Sequence, residues 1–304
     1  MILECIPNFS EGRRKDVVQT ILESARISGV RILDMAMDGD HNRSVMTAVG
    51  EAQDLAEAMF RAAKAAVTLI DLRGHRGCHP RMGSVDVIPF VPLKGATMED
   101  AVRWAENLGH RIAEELELPV YLYEMAATKP QHKNLADVRR GQFERLRHKM
   151  AEDPPDYGPP YPHPTAGAVA IGARNPLIAF NVLLNTNDMN IAKKVAESVR
   201  ASTGGLSGVK ALPMNTLSRA RVQVSMNLVD YPKTPLPRAL EAVRQEAGRF
   251  GVSIFRTELV GLMPARALVD TARYYLQQVD FDLTQVLEWA LCHEDSEDTD
   301  PKLP

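Results

Sequence analysis

Apolar residues recur at helical spacing at Val17, Ile21 and Ala25 and again at Leu55, Met59, Ala62 and Ala66. Short apolar or alternating runs lie between and beside them, as half-buried strands require. The pattern predicts strand 2–7, helix 14–27, strands 30–37 and 44–49, helix 52–70 and strand 85–91, a βαββαβ order. The second part of the chain repeats it with strand 177–184, helix 190–202, strands 209–212 and 222–228, helix 236–250 and strand 252–256. Asn187 or Asp188 caps the first of those helices, and Lys233-Thr234-Pro235 is a start signal for the next. The expected fold is therefore α/β (α+β), with two ferredoxin-like βαββαβ subdomains. Helices cover the outer face of each antiparallel sheet. The open faces are expected to face each other across a cleft, a usual place for a ligand.

Further helical stretches at 98–117 and 135–150 extend the first half, and 264–278 and 283–291 extend the second. Residues 151–167, AEDPPDYGPPYPHPTAG, carry six prolines and read as a rigid connector. The expected domains are 1–160 and 161–292. An acidic flexible tail is expected over 293–304.

At 304 residues the chain is long enough to bury a sizeable core. A net charge of −3 supplies no global basic field, and 6% aromatic residues promise few stacking platforms, so nucleic acid is not an expected partner. The N-terminus lacks a signal-peptide pattern and no apolar run approaches the ~20 residues of a membrane span, so a cytoplasmic protein is expected. Cys5, Cys78 and Cys292 are few and widely spaced, which suits free thiols in a reducing compartment.

The densest candidate chemistry lies at residues 74–90, GHRGCHPRMGSVDVIPF, which lead His79, Arg81, Gly83 and Asp86 into an apolar strand. Pro80 pushes His79 away from helical backbone and presents its imidazole on a loop or extended segment. Imidazole exchanges protons near neutral pH. His41 sits among turn formers in DGDHNRS and reads mainly as structural. His75, between Arg73 and Arg76, is either loop-ordering or catalytic. His132, His148 and His293 fall in polar stretches and read as solvated, while His110 and His163 have weak claims. The spacing of His75, Cys78 and His79 lacks the second ligand pair a zinc site needs, and no metal is expected.

Several long motifs resemble the formiminotransferase family in the same order: LECIPNFSEG at 3–12, HNRSV at 41–45, the CHPRMG segment, LPVYLYEMAA at 118–127, GAVAIGARNPLIAFNVLL at 167–184, VSMNLVDY at 224–231 and ELVGLMPARALVD at 258–270. The resemblance runs from Leu3 to about Tyr275. It implies transfer of a formimino group from N-formimino-L-glutamate to N5 of tetrahydrofolate, giving 5-formiminotetrahydrofolate and L-glutamate. Tetrahydrofolate would be a co-substrate held between two similar subdomains, with no metal.

By the same resemblance His79 is the catalytic histidine, base toward N5 and then acid toward the leaving nitrogen. Both substrates are acidic, so Arg43, Arg81 and Arg174 are candidates to grip carboxylates. The folate-binding segment would be Gly167, Ala168, Val169, Ala170, Ile171, Gly172, Ala173, Arg174, Asn175 and Pro176, whose small residues let the pterin approach. Asn8, Phe9, Ser10, Asn42 and Gly83 are further lining candidates. A homodimer and a separate downstream cyclodeaminase are implied as well. Two other readings stay open: a formyl transfer from 5-formyltetrahydrofolate to glutamate at the same site, and a non-catalytic folate-binding module.

Overall fold

In a computed structural model that describes residues 1–216 and 220–293, the chain divides into two units. The first comprises Met1–Pro176, Asn215–Ala220 and Val260–Leu262, and the second the remainder. The expected acidic tail lies, beyond residue 293, outside the described residues.

The first unit opens with strands β1 (Ile2–Cys5) and β2 (Asn8–Phe9), which share one position in the sheet because each pairs antiparallel with β4 and β5. Helix α1 (Lys15–Ala25), strands β3 (Val30–Asp38) and β4 (Arg43–Glu51), helix α2 (Ala52–Leu69) and strand β5 (Val85–Pro92) complete the predicted βαββαβ order. The resulting row β3, β4, β1 with β2, then β5, has the ferredoxin-like arrangement. Helix α1 buries Val17, Val18, Ile21 and Ala25, so the periodic positions in the sequence are its core face.

Two strands that the sequence pattern does not single out extend this sheet. Helix α3 (Met98–Leu116), opened by a Thr97–Asp100 capping box, leads to β6 (Val120–Glu124). Strand β7 (Val169–Ala173) then inserts between β5 and β6, parallel to both. Residues 161–176, which the sequence reading groups with the second half, are thus drawn into the first unit by strand pairing. Strand β7 is buried throughout. Val169, Ile171 and Ala173 join the core under the helices, while Ala168 and Ala170 join a smaller core on the other face with Met82, Tyr121, Tyr123 and Val138.

The single helix expected over 135–150 is instead broken. A short helix α4 (Leu135–Val138) ends before Gly141 and Gln142, both in left-handed backbone (φ 88° and 55°), and α5 (Leu146–Glu152) resumes after one 3₁₀ turn. That segment is fixed by a polar cluster. His132, expected in solvent, is fully buried, with Nε2 2.8 Å from Asp153 and Nδ1 3.4 Å from Asp156. Lys129 and Lys149 also pair with Asp153.

The second unit holds β8 (Ile178–Leu184), α6 (Met189–Val199), β9 (Val209–Thr216), β10 (Arg221–Leu228), α7 (Leu236–Gly248) and β11 (Ile254–Val260), followed by α8 (Ala265–Leu276) and α9 (Leu287–His293). Its sheet order, β11-β8-β10-β9, repeats the ferredoxin-like arrangement around its own core. Asp188 caps α6 by accepting from the Asn190 N–H, and Pro235 precedes α7 as expected.

The His132 cluster makes stability depend on pH. Burial lowers the His132 pKa, but hydrogen bonds with Asp156 and Asp153 outweigh it and raise the net value, while the same contacts lower both aspartates. The histidine contribution is therefore full below about pH 6.5 and lost as pH rises through its raised value. The aspartate contributions are full above about pH 4 and lost as pH falls. His132→Asn is expected to cost about 3 kcal/mol near pH 6, because it leaves the buried Asp156 carboxylate without its cationic partner. Urea unfolding at about pH 6 and about pH 9 checks it: wild type loses stability between the two, and the variant loses much less.

Candidate functional site

The site is assembled within the first unit from the end of β2, the turn between β3 and β4, the loop between α2 and β5, and the start of β5. Its pocket is lined by Ser10, His41, Asn42, Arg43, His75, His79, Arg81 and Asp86. Its cavity volume is about 10 Å³, about the room of one water molecule and far below the roughly 300–1,000 Å³ of drug-sized sites.

Backbone contacts set the loop in place. A Cβ on Gly77 would lie 2.3 Å from the His41 carbonyl, so only glycine lets the α2–β5 loop lie against the β3–β4 turn. Asn42, in left-handed backbone at φ 49°, accepts from the Gly12 N–H at 3.0 Å and donates to the Arg76 carbonyl at 3.0 Å. At the far end of the loop Asp86, 2% exposed, accepts from the Met82 N–H at 2.7 Å and pairs with Arg139. Ser10 donates to the Gly83 carbonyl at 2.7 Å. Gly83 and Gly167 bridge so closely that a Cβ on Gly83 would meet the Ala168 carbonyl at 2.0 Å.

The His79 ring faces a cation through a nitrogen lone pair, as His75 does toward Arg81. Arg43 donates from one terminal nitrogen to His79 Nε2 at 2.9 Å and to Asn8 Oδ1 at 3.0 Å. An arginine can only donate, so Nε2 is the acceptor and the ring proton belongs on Nδ1. Burial holds the His79 pKa well below the usual histidine range, and the charges of Arg43, Arg139 and His41 push it further down. His79 is thus a neutral imidazole near pH 7. Burial and the nearby Arg139 charge lower Arg43 to about 10, which still leaves it a cation. The buried Arg43 Nε has no hydrogen-bond partner among the described residues.

The other two histidines are committed. His41 Nδ1 lies 2.6 Å from Asp38 Oδ2, and its ring stands edge-on to His79 at 6.3 Å between centroids. Burial raises the Asp38 pKa, but hydrogen bonds from the His41 ring and backbone outweigh it and lower it to about 2. His75 meets the Asn42 carbonyl through Nε2 at 2.9 Å and accepts from Arg81 Nε at 3.0 Å.

The remaining sequence candidates are dispersed. Arg81 spends its fork on Glu144, at 2.9 and 2.7 Å, so it ties the loop rather than offering a free guanidinium. Phe9 is fully buried in the core under the helices, facing away from the Asn8 and Ser10 side chains. Residues Ala168, Val169, Ala170, Ile171, Gly172 and Ala173 are interior to the sheet, where a Cβ on Gly172 would strike Tyr123. Arg174 donates its backbone N–H to Phe90, four residues along β5 from Asp86, and Asn175 and Pro176 continue past the strand. The pocket lining includes none of these three. Arg139 and Asp38 are site residues that sequence reasoning passed over. Asp38 was legible as the residue three before His41 in a turn, whereas nothing local marks Arg139. Among the described residues no group of three or more His, Cys, Asp or Glu side chains is placed to hold a metal, and all three cysteines are free thiols.

Residues 2–174 match the formiminotransferase domain, N-terminal subdomain, and residues 179–288 match the formiminotransferase domain. The chain is 47% identical to the glutamate formimidoyltransferase of Streptococcus pyogenes, over 94% of this chain and 97% of that one. It is 49% identical to that of Thermoplasma acidophilum, over 94% and 96%. Similarity extends to the formimidoyltransferase-cyclodeaminase of Sus scrofa, 40% identical over 93% of this chain and 54% of that protein.

The charge on Arg43 is, after burial, the largest influence holding His79 neutral. Arg43→Met is therefore expected to raise the His79 pKa toward the ordinary value of about 6.5. Imidazole NMR titration of ¹⁵N-histidine-labelled protein measures the shift, with His41 and His75 resonances as internal comparison.

Proposed function

Because the chain belongs to the formiminotransferase family, we propose that it transfers the formimino group of N-formimino-L-glutamate to N5 of tetrahydrofolate and releases L-glutamate. The observation that carries this reading at the level of residues is the neutral His79, its Nε2 lone pair facing Arg43 in the pocket.

The reaction begins with N5 adding to the formimino carbon. The new C–N bond leaves N5 with a positive charge and an acidic proton, so even a weak base suffices to remove it. His79 is such a base. Once protonated beneath Arg43 and Arg139 it is a strong acid, and it gives the proton to the glutamate nitrogen as the old C–N bond breaks. One proton moves from N5 to the leaving group, and no further reactant is needed. The cations that weaken His79 as a base strengthen it as an acid in the second half of the cycle.

The donor's carboxylates require planar cationic partners. Arg43 suits this role, since it lines the pocket and keeps an unpaired Nε–H. A carboxylate drawn onto Arg43 would turn its guanidinium from His79 and hand Nε2 to N5. Arg81 acts from behind, because Glu144 already occupies its fork. Gly167 supports the site through its bridge to Gly83, beneath Ser10.

A coupled assay with formiminoglutamate and tetrahydrofolate tests the reaction. His79→Ala is expected to lower kcat by roughly 10²- to 10⁴-fold while the Kd for folinate, measured by calorimetry, changes by no more than about threefold. Wild-type kcat/KM should fall on the acid side, below about pH 6.5, as His79 gains its second proton. Absence of glutamate release from wild type at every pH would end the reading.

A further inference from the structure

His75 is engaged through both ring nitrogens. It is 7% exposed, and its ring meets the β3–β4 turn through one nitrogen and Arg81 of its own loop through the other. The Asn42 carbonyl can only accept and the Arg81 Nε–H can only donate, so the pair of contacts fits one state of the ring: neutral, with the proton on Nε2 and a lone pair on Nδ1. Asn42 immediately precedes Arg43, the partner of His79. Arg81 lies two residues after His79, and its fork grips Glu144 while its carbonyl accepts from the Phe143 N–H at 3.0 Å. A continuous chain of hydrogen bonds therefore runs from the β3–β4 turn through His75 to Arg81, farther along the same loop and beyond His79, and on to the segment after α4.

We propose that His75 is a positioning residue whose neutral imidazole couples the Arg43 turn to the His79 loop, and that a second ring proton uncouples them. This rests on the reading of His79 and Arg43 given above. Protonation would place an N–H against the Arg81 Nε–H and two cations 3.0 Å apart, so the contact to Arg81 must break. With it goes the register between the two halves of the catalytic pair. The charged groups facing His75 are Arg81 on its own loop and Glu11 and Arg13 from the stretch after β2, while Arg76 bonds its backbone carbonyl. Burial and the two arginines disfavour the charged ring, against the Asn42 carbonyl and Glu11, and the net pKa is lowered. The uncoupling therefore belongs below about pH 6.5, in the range where His79 also protonates.

Two protons, rather than one, would then close the acid side of the activity profile. Wild-type kcat/KM is expected to fall by about a hundredfold per pH unit at its steepest, since both histidines must be neutral. His75→Gln keeps an amide N–H for Asn42 and a carbonyl for Arg81 but cannot titrate. It is expected to lower kcat about threefold near pH 8 with KM for both substrates little changed, and to fall by only about tenfold per unit in acid. Independently of turnover, ¹⁵N-histidine spectra of the wild-type protein should show His75 in the Nε2–H form, titrating below the ordinary range. An acid limb of His75→Gln that superimposes on wild type overturns the proposal, as does an Nδ1–H form for His75. Loss of transfer in wild type itself would count against the proposed reaction instead, and the spectra would still decide the state of His75.

Discussion

Asp86 is the tie on which the site depends. A carboxylate 2% exposed at the entry to a central strand is tolerable only if its charge is matched, and the matches come from its own turn and from Arg139, far off in sequence. The Met82 N–H fixes the turn that ends the α2–β5 loop, and Arg139 draws in the segment after α4. Removing one partner of such a pair typically costs about 3–5 kcal/mol, more than most single contacts contribute, so the loop and the segment hold each other in place. The arrangement also brings the Arg139 charge to bear on His79. Architecture and electrostatics are set by the same interaction.

This electrostatic setting has a chemical logic. A histidine of ordinary pKa would divide its time near pH 7 between base and acid forms. In the transfer proposed above, His79, desolvated and under two guanidinium groups, begins as base in nearly every molecule. The first step generates a strongly acidic ammonium, so base strength is not limiting, whereas expulsion of an amine needs a good acid. Lowering the pKa thus favours the harder half of the exchange. His75 and His41 share the pocket without sharing the role, because their nitrogens are already bound to Asn42 and Arg81, and to Asp38.

Where one face of an element meets solvent, the sequence announced it: α1, α2, α6 and α7, and the alternating strands between them, stand close to the periodic runs. Strands β6 and β7 were hidden because both faces are buried, which erases alternation and leaves only short apolar or small-residue runs. The same burial accounts for Gly172 of β7, whose smallness serves close strand packing against Tyr123. His132 was misplaced because its neighbours are polar; those neighbours, Asp153 and Asp156, lie some twenty residues away in sequence and are what make its burial possible. His79 was legible through its setting before Pro80, and Arg43 through its motif. Arg139 was not, since its function comes from a contact with Asp86 that no local spacing encodes.

The two units repeat one topology, yet the pocket chemistry is found in the first, and the difference lies in a single connection. Between α2 and β5 the first unit spans residues 70–84, long enough to carry His75, His79 and Arg81 across the sheet end. The corresponding connection from α7 to β11 in the second unit is residues 249–253, a tight link with no histidine. The helices and strands on either side are nearly equivalent, so the fold itself does not demand the longer loop. What the loop requires is anchorage, and the features that anchor it are local to the first unit: Gly77 beneath the His41 carbonyl, the Asn42 latch, and the Asp86–Arg139 pair reached by the added segment between β6 and β7. Function here resides in an elongated loop and in the extra chain that pins it, with the duplicated scaffold supplying rigid edges for both.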